Sequence, residues 1–140
     1  MNLFIDTWGW LTLRDKGESR HEEARDLYLR FREEKARIYT SDYVLDESIT
    51  LLFKRLRFDV AMASLDRIDK AIREGYIRLE WITPERFEKA KTMRKKYQDK
   101  PGISFTDLTS MVVMKEIGVV DILTADDHFE HVGLGFQLKP

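Results

Sequence analysis

Apolar residues follow two alternating patterns along this chain. Short apolar or alternating runs, which are typical of strands, occupy residues 2–6, 36–40, 76–82, 119–125 and 135–138. The longer segments between them place apolar residues every three or four positions, which is typical of amphipathic helices. This alternation predicts an α/β fold, in which a mostly parallel central sheet lies between two layers of helices in a three-layer α/β/α sandwich.

Helical segments and their capping residues are also visible in the pattern. The predicted helices are residues 8–13, 18–35, 42–56, 58–74, 84–97 and 104–116. Thr7, Ser41 or Asp42, and Ser104 or Thr106 are expected to cap three of them, because their side-chain oxygens accept hydrogen bonds from free backbone N–H groups. No repeat, linker or low-complexity segment interrupts the series, so one domain is expected over residues 1–140.

The composition limits the classes of function and location. With 43% hydrophobic and 35% charged residues, the chain has the make-up of a globular protein with a heavily charged surface. Its 24 Lys and Arg residues nearly balance 25 Asp and Glu residues, so any contact with nucleic acid depends on local segregation of charge. The absence of Cys excludes disulfides and thiolate zinc sites. No apolar run reaches transmembrane length and no basic leader is visible, so a soluble cytoplasmic protein without membrane contact is expected.

Four carboxylates stand beside or within apolar segments, where exposure to solvent explains them poorly. They are Asp6 in LFIDTWGW, Glu47 in YVLDESITLLF, Asp107 in SFTDLTSMVVM and Asp126 in DILTADDHF. Asp6 and Asp126 follow predicted strands, so both are expected at the carboxyl ends of strands, where open α/β sheets place their sites. Asp107 lies in the first turn of a predicted helix, and Glu47 at the flank of a buried helical face. The four acids are therefore candidates for one shared crevice.

Such a crevice needs a compensating cation, because like charges repel and burial penalises each charge further. Hard divalent ions prefer oxygen ligands, and the chain has no Cys and only three His residues. The sequence therefore favours Mg²⁺ or Mn²⁺ as the cofactor. A purely structural interpretation also exists for each acid. Asp107 lies three residues after Ser104, as in a capping box, and loops favour Asp at positions such as Asp126 and Asp127.

Four segments resemble the motifs of PIN-domain nucleases. FIDTWGWL resembles their opening strand and DT/DS motif, VLDESITLL their Glu-bearing helix, SFTDLTSMVVMKE their S-F-T-D-A helix, and ILTADDHFEHVGLGFQL their closing L-T-x-D-x-x-F segment. These segments span nearly the whole chain, whose length and final run are most similar to VapC-type toxins and related stand-alone prokaryotic PIN proteins. One departure is Leu108, where many relatives have a small Ala, and it affects packing more than chemistry.

The resemblance implies a function and partners. Asp6, Glu47, Asp107 and Asp126 would bind the metal for hydrolysis of RNA phosphodiesters by the toxin of a toxin–antitoxin pair, with Asp127 assisting at most. The resemblance also implies a homodimer and a cognate antitoxin that blocks the site, most simply with an Arg or Lys. The alternative is a PIN-like RNA-binding or housekeeping RNA-processing protein without a toxin role.

Two groups of basic residues and one group of apolar residues each have more than one possible role. Phosphate contacts are expected from the basic residues at 54–57 or at 94–96, unless these are ordinary solvated helix ends. Trp8 and Trp10 are candidates for stacking on bases. Together with Leu11 and Leu13, however, they are rather expected in the core or in a dimer contact.

Two other enzyme and signalling classes also place an Asp after the first strand of such a sheet. An aspartate-nucleophile phosphatase needs a second Asp two residues later, where Trp8 stands. A phosphotransfer receiver needs a Lys after a late strand, and the predicted strand at residues 119–125 is followed by Asp126 and Asp127 instead. The sequence therefore disfavours both classes.

Overall fold

The computed structural model describes residues 1–140 as five strands and seven helices. In chain order they are β1 (Asn2–Ile5), α1 (Thr7–Arg14), α2 (His21–Glu33), β2 (Arg37–Ser41), α3 (Asp42–Arg55), α4 (Phe58–Arg73), β3 (Ile77–Glu80), α5 (Pro84–Lys96), α6 (Phe105–Ile117), β4 (Asp121–Leu123), α7 (His128–His131) and β5 (Gln137–Lys139). Every strand and long helix expected from the sequence is present, with small differences at the ends. None of the helices combines the length and the apolar character needed to cross a membrane.

All five strands are parallel and lie in the order β3-β2-β1-β4-β5. The central strand is β1, in which Phe4 is opposite Tyr39 of β2 on one side and Ile122 of β4 on the other. The chain builds outward from β1 through β2 to β3, and then returns to the other side of β1 with β4. This reversal places a crevice beyond the carboxyl ends of β1 and β4, which is where parallel α/β sheets bind ligands.

Both faces of the sheet are covered. Leu3, Phe4 and Ile5 of β1 are all fully buried, although consecutive side chains of a strand point to opposite faces. Helix α1 packs against α2 and α3, and α5 pairs with α6. The predicted three-layer α/β/α arrangement with a parallel sheet is confirmed.

The start of α1 differs from the sequence prediction. The helix begins at Thr7 itself, and its cap is Asp6, whose Oδ1 accepts the N–H of Gly9 at 2.9 Å. The prediction that Thr7 caps α1 is therefore wrong, because β1 ends before Asp6 and leaves the Asp in the capping position. At α3 and α6 the caps are Ser41 and Ser104, one of the two residues expected in each case.

Gly9 allows α1 to lie directly against the ends of two strands. A Cβ atom at this position would be 2.6 Å from the carbonyl oxygen of Leu123 and 2.8 Å from Cγ2 of Ile5. Real Cβ atoms do not approach other atoms so closely, so the absence of a side chain at Gly9 is what permits this packing. The first turn of α1 is thereby held beside the crevice.

The apolar residues of α1 mostly belong to the core of the subunit. Trp10, Leu11 and Leu13 are 3%, 6% and 8% exposed, and the Trp10 indole donates a hydrogen bond to Oγ1 of Thr40 at 3.0 Å. The prediction of a dimer contact at these three residues is wrong, because α2 and α3 both pack over this short helix. Only Trp8 keeps a partly exposed side chain.

Residues 15–20 form a turn rather than the first turn of α2. The carboxylate of Asp15 accepts the N–H of Gly17 at 2.9 Å, and its carbonyl accepts the N–H of Glu18 at 3.1 Å. The helix predicted to start at Glu18 therefore starts three residues later, at His21. This difference matters for the site, because it leaves Glu18 beside the crevice.

Candidate metal centre

Asp6 is the most deeply buried acid of the candidate site. It follows β1 directly, is 4% exposed, and is oriented by the hydrogen bond from Gly9 of α1. Thr124, which follows β4, forms a hydrogen bond with the Asp6 carboxylate, and its hydroxyl accepts the N–H of Asp126 at 3.0 Å. One carboxylate is therefore held at the junction of β1, β4 and α1.

Asp107 and Asp126 approach the same point from two other elements. Asp107 lies in the first turn of α6, where its N–H donates to Oγ of the capping Ser104 at 3.0 Å. Asp126 lies in the loop after β4, and its Oδ1 is 3.0 Å from Nδ1 of His128. The possible ligand atoms of Asp107, Asp126 and His128 all lie within 4.8 Å of one another. This spacing suits a single bound cation.

Glu47 joins the group from α3. Its side chain is half-buried, and its charge contributes to raising the pKa of Asp6. Asp6, Glu47, Asp107 and Asp126 all line one cavity of about 450 Å³ at the carboxyl edge of the sheet. The structure thus brings together the four acids singled out in the sequence, while their role as metal ligands stays a prediction.

Burial and mutual repulsion disfavour the charged forms of these acids. Burial is the main cause that raises the pKa of Asp6 from 3.8 to about 7, and the charges of Asp126 and Glu47 add to it. Burial, followed by the charge of Asp126, raises the pKa of Asp107 to about 8. In the absence of a cation, the site therefore keeps protons at neutral pH. A divalent ion at this position would displace them, which is the behaviour of a metal centre built from carboxylates.

Sequence reasoning missed His128. A single His in a loop carries no periodic pattern, and its only signal is its position two residues after Asp126. In the turn that opens α7, the backbone N–H of His128 donates a hydrogen bond of 2.9 Å to Oδ1 of Asp126. The ring nitrogen Nδ1 of His128 lies 3.0 Å from the same oxygen. Asp127, between them, is exposed and does not line the cavity. The geometry therefore favours Asp126 over Asp127, as the L-T-x-D spacing does.

Of the two basic segments expected to contact phosphate, one reaches the cavity. Arg55 lines it and pairs with Glu18, with Nη1 and Oε1 3.3 Å apart, whereas Arg57 is exposed outside it. In the other segment, the guanidinium of Arg94 donates three hydrogen bonds of 2.6–2.8 Å to backbone carbonyls at residues 97–103. Arg94 therefore braces the loop before α6 and is not free to bind phosphate.

Comparison with known proteins decides the family. The family model described as PIN domain matches residues 3–134. The chain belongs to the PIN-domain family. This PIN domain is 30% identical over 139 residues to the 23S rRNA-specific endonuclease VapC20 from two strains of Mycobacterium tuberculosis, with 99% of this chain and 98% of the relative covered. The resemblance to VapC-type toxins is thereby confirmed.

Solved structures resemble this PIN domain over the same range. The crystal structure of M. tuberculosis VapC20, described as a sarcin-ricin loop cleaving toxin, has a TM-score of 0.80 at 30% identity and covers 99% of both chains. VapBC2 of Rickettsia felis bound to a DNA fragment from its promoter has a TM-score of 0.73 at 15% identity, with 99% of this chain and 98% of that chain covered. At that identity the second similarity concerns the fold alone.

Proposed function

We propose that this PIN domain, as a single nuclease domain over residues 1–140, is a metal-dependent endoribonuclease that hydrolyses RNA phosphodiesters. The observation that carries the proposal is the convergence of Asp6, Glu47, Asp107 and Asp126 on one cavity beyond the carboxyl ends of β1 and β4. The relative VapC20 is named a 23S rRNA-specific endonuclease, which supports RNA as the substrate.

The proposed metal is Mg²⁺ or Mn²⁺, because the available ligand atoms are mainly carboxylate oxygens, which hard divalent ions prefer. Asp6, Glu47, Asp107 and Asp126 would hold it, with His128 beside Asp126. When bound, such an ion activates water and neutralises charge on the phosphate under attack. The raised pKa values of Asp6 and Asp107 fit a site that becomes fully ionised only when a cation is present.

The protein supplies positioning through rigid elements. The hydrogen bond from Gly9 orients the carboxylate of Asp6, and the cap at Ser104 fixes the first turn of α6, which carries Asp107. Ligands held in this way need little reorganisation when a cation or substrate binds. The chain has no Cys, and the mechanism requires no covalent intermediate on a Ser.

Cleavage of a labelled RNA by the purified protein tests the proposal. Activity should disappear in EDTA and return with Mg²⁺ or Mn²⁺. Asp6→Asn, Asp107→Asn and Glu47→Gln keep side-chain volume but remove charge, so each should abolish cleavage without loss of the fold. The matched control Asp127→Asn, on an exposed neighbour, should cut normally. Activity that survives EDTA, or variants that cut at the wild-type rate, would contradict the proposal.

We further propose that the enzyme is a toxin held inactive by an antitoxin, as the description of VapC20 as a toxin suggests. An acidic cavity accommodates an Arg or Lys from an inhibitor. A second cavity of about 440 Å³, between α1, α2 and α4, is lined by five cations and no Asp or Glu: Arg14, Lys16, Arg25, Arg32 and Arg67. Burial is the main cause that lowers the pKa of Arg14, and the charge of Arg67 adds to it. This cavity fits acidic residues of the antitoxin.

Expression in the native host tests the toxin role. The protein alone should slow growth, co-expression of its proposed antitoxin should restore growth, and the Asp6→Asn variant should be harmless. Harmless expression of the active protein would leave the nuclease chemistry in place and favour the alternative, a housekeeping RNA-processing role in the cytoplasm.

A homodimer is the proposed assembly. The burial of α1 moves the candidate contact to other exposed apolar side chains, among them Trp81 and Phe87, which are 62% and 37% exposed. Phe87 also packs against Tyr43 and Phe105, so it belongs to an aromatic cluster at the surface. Light scattering should give a dimer at micromolar concentration, and Trp81→Ser with Phe87→Ser should give a monomer. A wild-type monomer would exclude the dimer.

A further inference from the structure

An ion pair joins two elements across the wall of the acidic cavity. Arg55, the last residue of α3, places Nη1 3.3 Å from Oε1 of Glu18 in the turn at residues 15–20. Both side chains line the cavity, and they are 44% and 35% exposed. The two residues are 37 positions apart, so the fold brings them together and a helical spacing does not.

Arg55 is the one cation among the 13 residues that line the cavity, and five of the others are carboxylates. Every phosphate of an entering RNA strand is negative, so this acidic lining repels the substrate. A guanidinium offers a planar fork of donors that matches phosphate oxygens. Arg55 is therefore the one fixed group in the lining whose charge attracts an RNA backbone.

The position of Arg55 sets which phosphate it reaches. It follows Glu47 by eight residues in α3, which corresponds to about 12 Å along the helix axis. Along the axis of α3, Arg55 is therefore displaced from Glu47 by about two helical turns. A guanidinium displaced in this way would meet a backbone phosphate other than the one held at the acids.

We propose, on the basis of the nuclease function proposed above, that Arg55 positions RNA by binding a backbone phosphate beside the scissile one, and that Glu18 competes for the same guanidinium. In the free protein, the guanidinium of Arg55 is paired with the carboxylate of Glu18. When RNA enters, a phosphate replaces the carboxylate. The exchange is feasible because the pair is partly exposed, and such pairs stabilise a fold only slightly.

The turn that carries Glu18 is closed by hydrogen bonds of its own. The carboxylate of Asp15 accepts the N–H of Gly17 at 2.9 Å, the carbonyl of Asp15 accepts the N–H of Glu18 at 3.1 Å, and the carbonyl of Glu18 accepts the N–H of His21 at 3.1 Å. None of these hydrogen bonds uses the side chain of Glu18. A substitution at Glu18 is therefore expected to free Arg55 and leave the turn in place.

Two substitutions have opposite expected effects on the Michaelis constant for an RNA oligonucleotide. Arg55→Gln should raise KM about tenfold, the effect of losing one charge-assisted hydrogen bond, with kcat near the wild-type value. Glu18→Gln should lower KM about threefold, because the guanidinium loses its competitor. The double variant should match Arg55→Gln, and Arg55→Lys should recover part of the affinity. Arg57→Gln, an exposed control two residues away, should leave KM unchanged.

Binding of uncleaved RNA separates this proposal from the nuclease function. In an Asp6→Asn background, the Kd measured by fluorescence anisotropy should rise with Arg55→Gln and fall with Glu18→Gln. Arg55→Gln should also reduce the slope of log K against log salt by about 0.7, the loss of one phosphate contact on a single strand. If both variants weaken binding, or neither changes it, the pair is structural and the proposal is overturned. If the wild type cuts no RNA while the two variants still shift Kd in opposite directions, the nuclease function fails and the phosphate site at Arg55 stands.

Discussion

Replacing Asp6 by Asn tests whether the charge of the metal-free site destabilises the fold. Burial raises the pKa of Asp6 from 3.8 in the unfolded chain to about 7 in the folded one. Between these values the folded state binds more protons than the unfolded state. The stability that protonated Asp6 contributes is thus fully present below pH 3.8 and is lost as the pH rises through about 7. Above that pH the fold contains an unfavourable buried charge, which Asn does not carry.

The expected magnitude follows from this pKa difference. At about 1.36 kcal/mol per pKa unit, ionised Asp6 lowers the free energy of unfolding by up to roughly 4 kcal/mol at pH 8. Asn still accepts the N–H of Gly9, but its amide loses the hydrogen bond with Thr124, which costs about 1 kcal/mol. The net expectation is a gain of about 2–3 kcal/mol at pH 8. At pH 5 the unfolded chain already ionises Asp6 while the folded chain keeps it protonated, which costs the wild type about 1.6 kcal/mol, so the lost hydrogen bond is nearly offset and the variant should differ by less than about 1 kcal/mol.

Thermal unfolding in EDTA at the two pH values measures the effect. For a chain of this length, about 1 kcal/mol corresponds to roughly 3–4 °C in Tm, so the variant should melt roughly 6–12 °C higher at pH 8 and within roughly 3 °C of the wild type at pH 5. The exposed control Asp127→Asn should change Tm at neither pH. Added Mg²⁺ should stabilise the wild type more than the variant. A variant that loses stability at both pH values, or gains the same amount at both, would refute this reasoning.

Three further predictions concern the cation, the loop after β4 and α1. Affinity for Mn²⁺, measured by calorimetry, should rise between pH 6 and pH 9, because the buried carboxylates must lose protons to bind; a constant affinity would argue against them as ligands. Asp126→Asn should weaken metal binding more than Asp127→Asn, since only Asp126 lines the cavity, and the reverse order would show the assignment to be off by one. Gly9→Ala should cost about 1–3 kcal/mol in urea denaturation, because a Cβ meets the carbonyl oxygen of Leu123 at 2.6 Å; unchanged stability would exclude that close approach.

The sequence predicts the fold and the placement of two acids well because both depend on local patterns. Asp6 and Asp126 each follow an apolar run of strand length, and the parallel arrangement then brings both to one edge of the sheet. The positions of Asp107 and Glu47 are harder to predict, because an acid on a helix faces the crevice only if the helix is rotated about its axis so that this side points inward. For these two residues, the assignment to the site depends on the resemblance to PIN-domain motifs, because the helical period alone does not indicate which side faces the crevice.

Contacts between distant segments are what the sequence does not predict. His128 reaches Asp126 only because the chain turns back at the start of α7. Glu18 meets Arg55 because α2 begins after a turn whose hydrogen bonds have no periodic pattern. The burial of Trp10 depends on α2 and α3, which both cover α1. The sequence does not indicate this, because a helix of 8 residues is too short for its apolar period to show that two of its sides are buried.

The pairing of β1 with β4 joins two strands that are synthesised far apart in time, because more than a hundred residues separate them in the sequence. Phe4 is opposite Ile122, and the four acids are all present only once residues 1–126 have been made. Synthesis proceeds from the N-terminus, so Asp6 leaves the ribosome long before the strand that completes its surroundings exists. A nascent or prematurely ended chain therefore has no complete cavity. The proposed enzyme stays inactive until the ribosome has added Asp126.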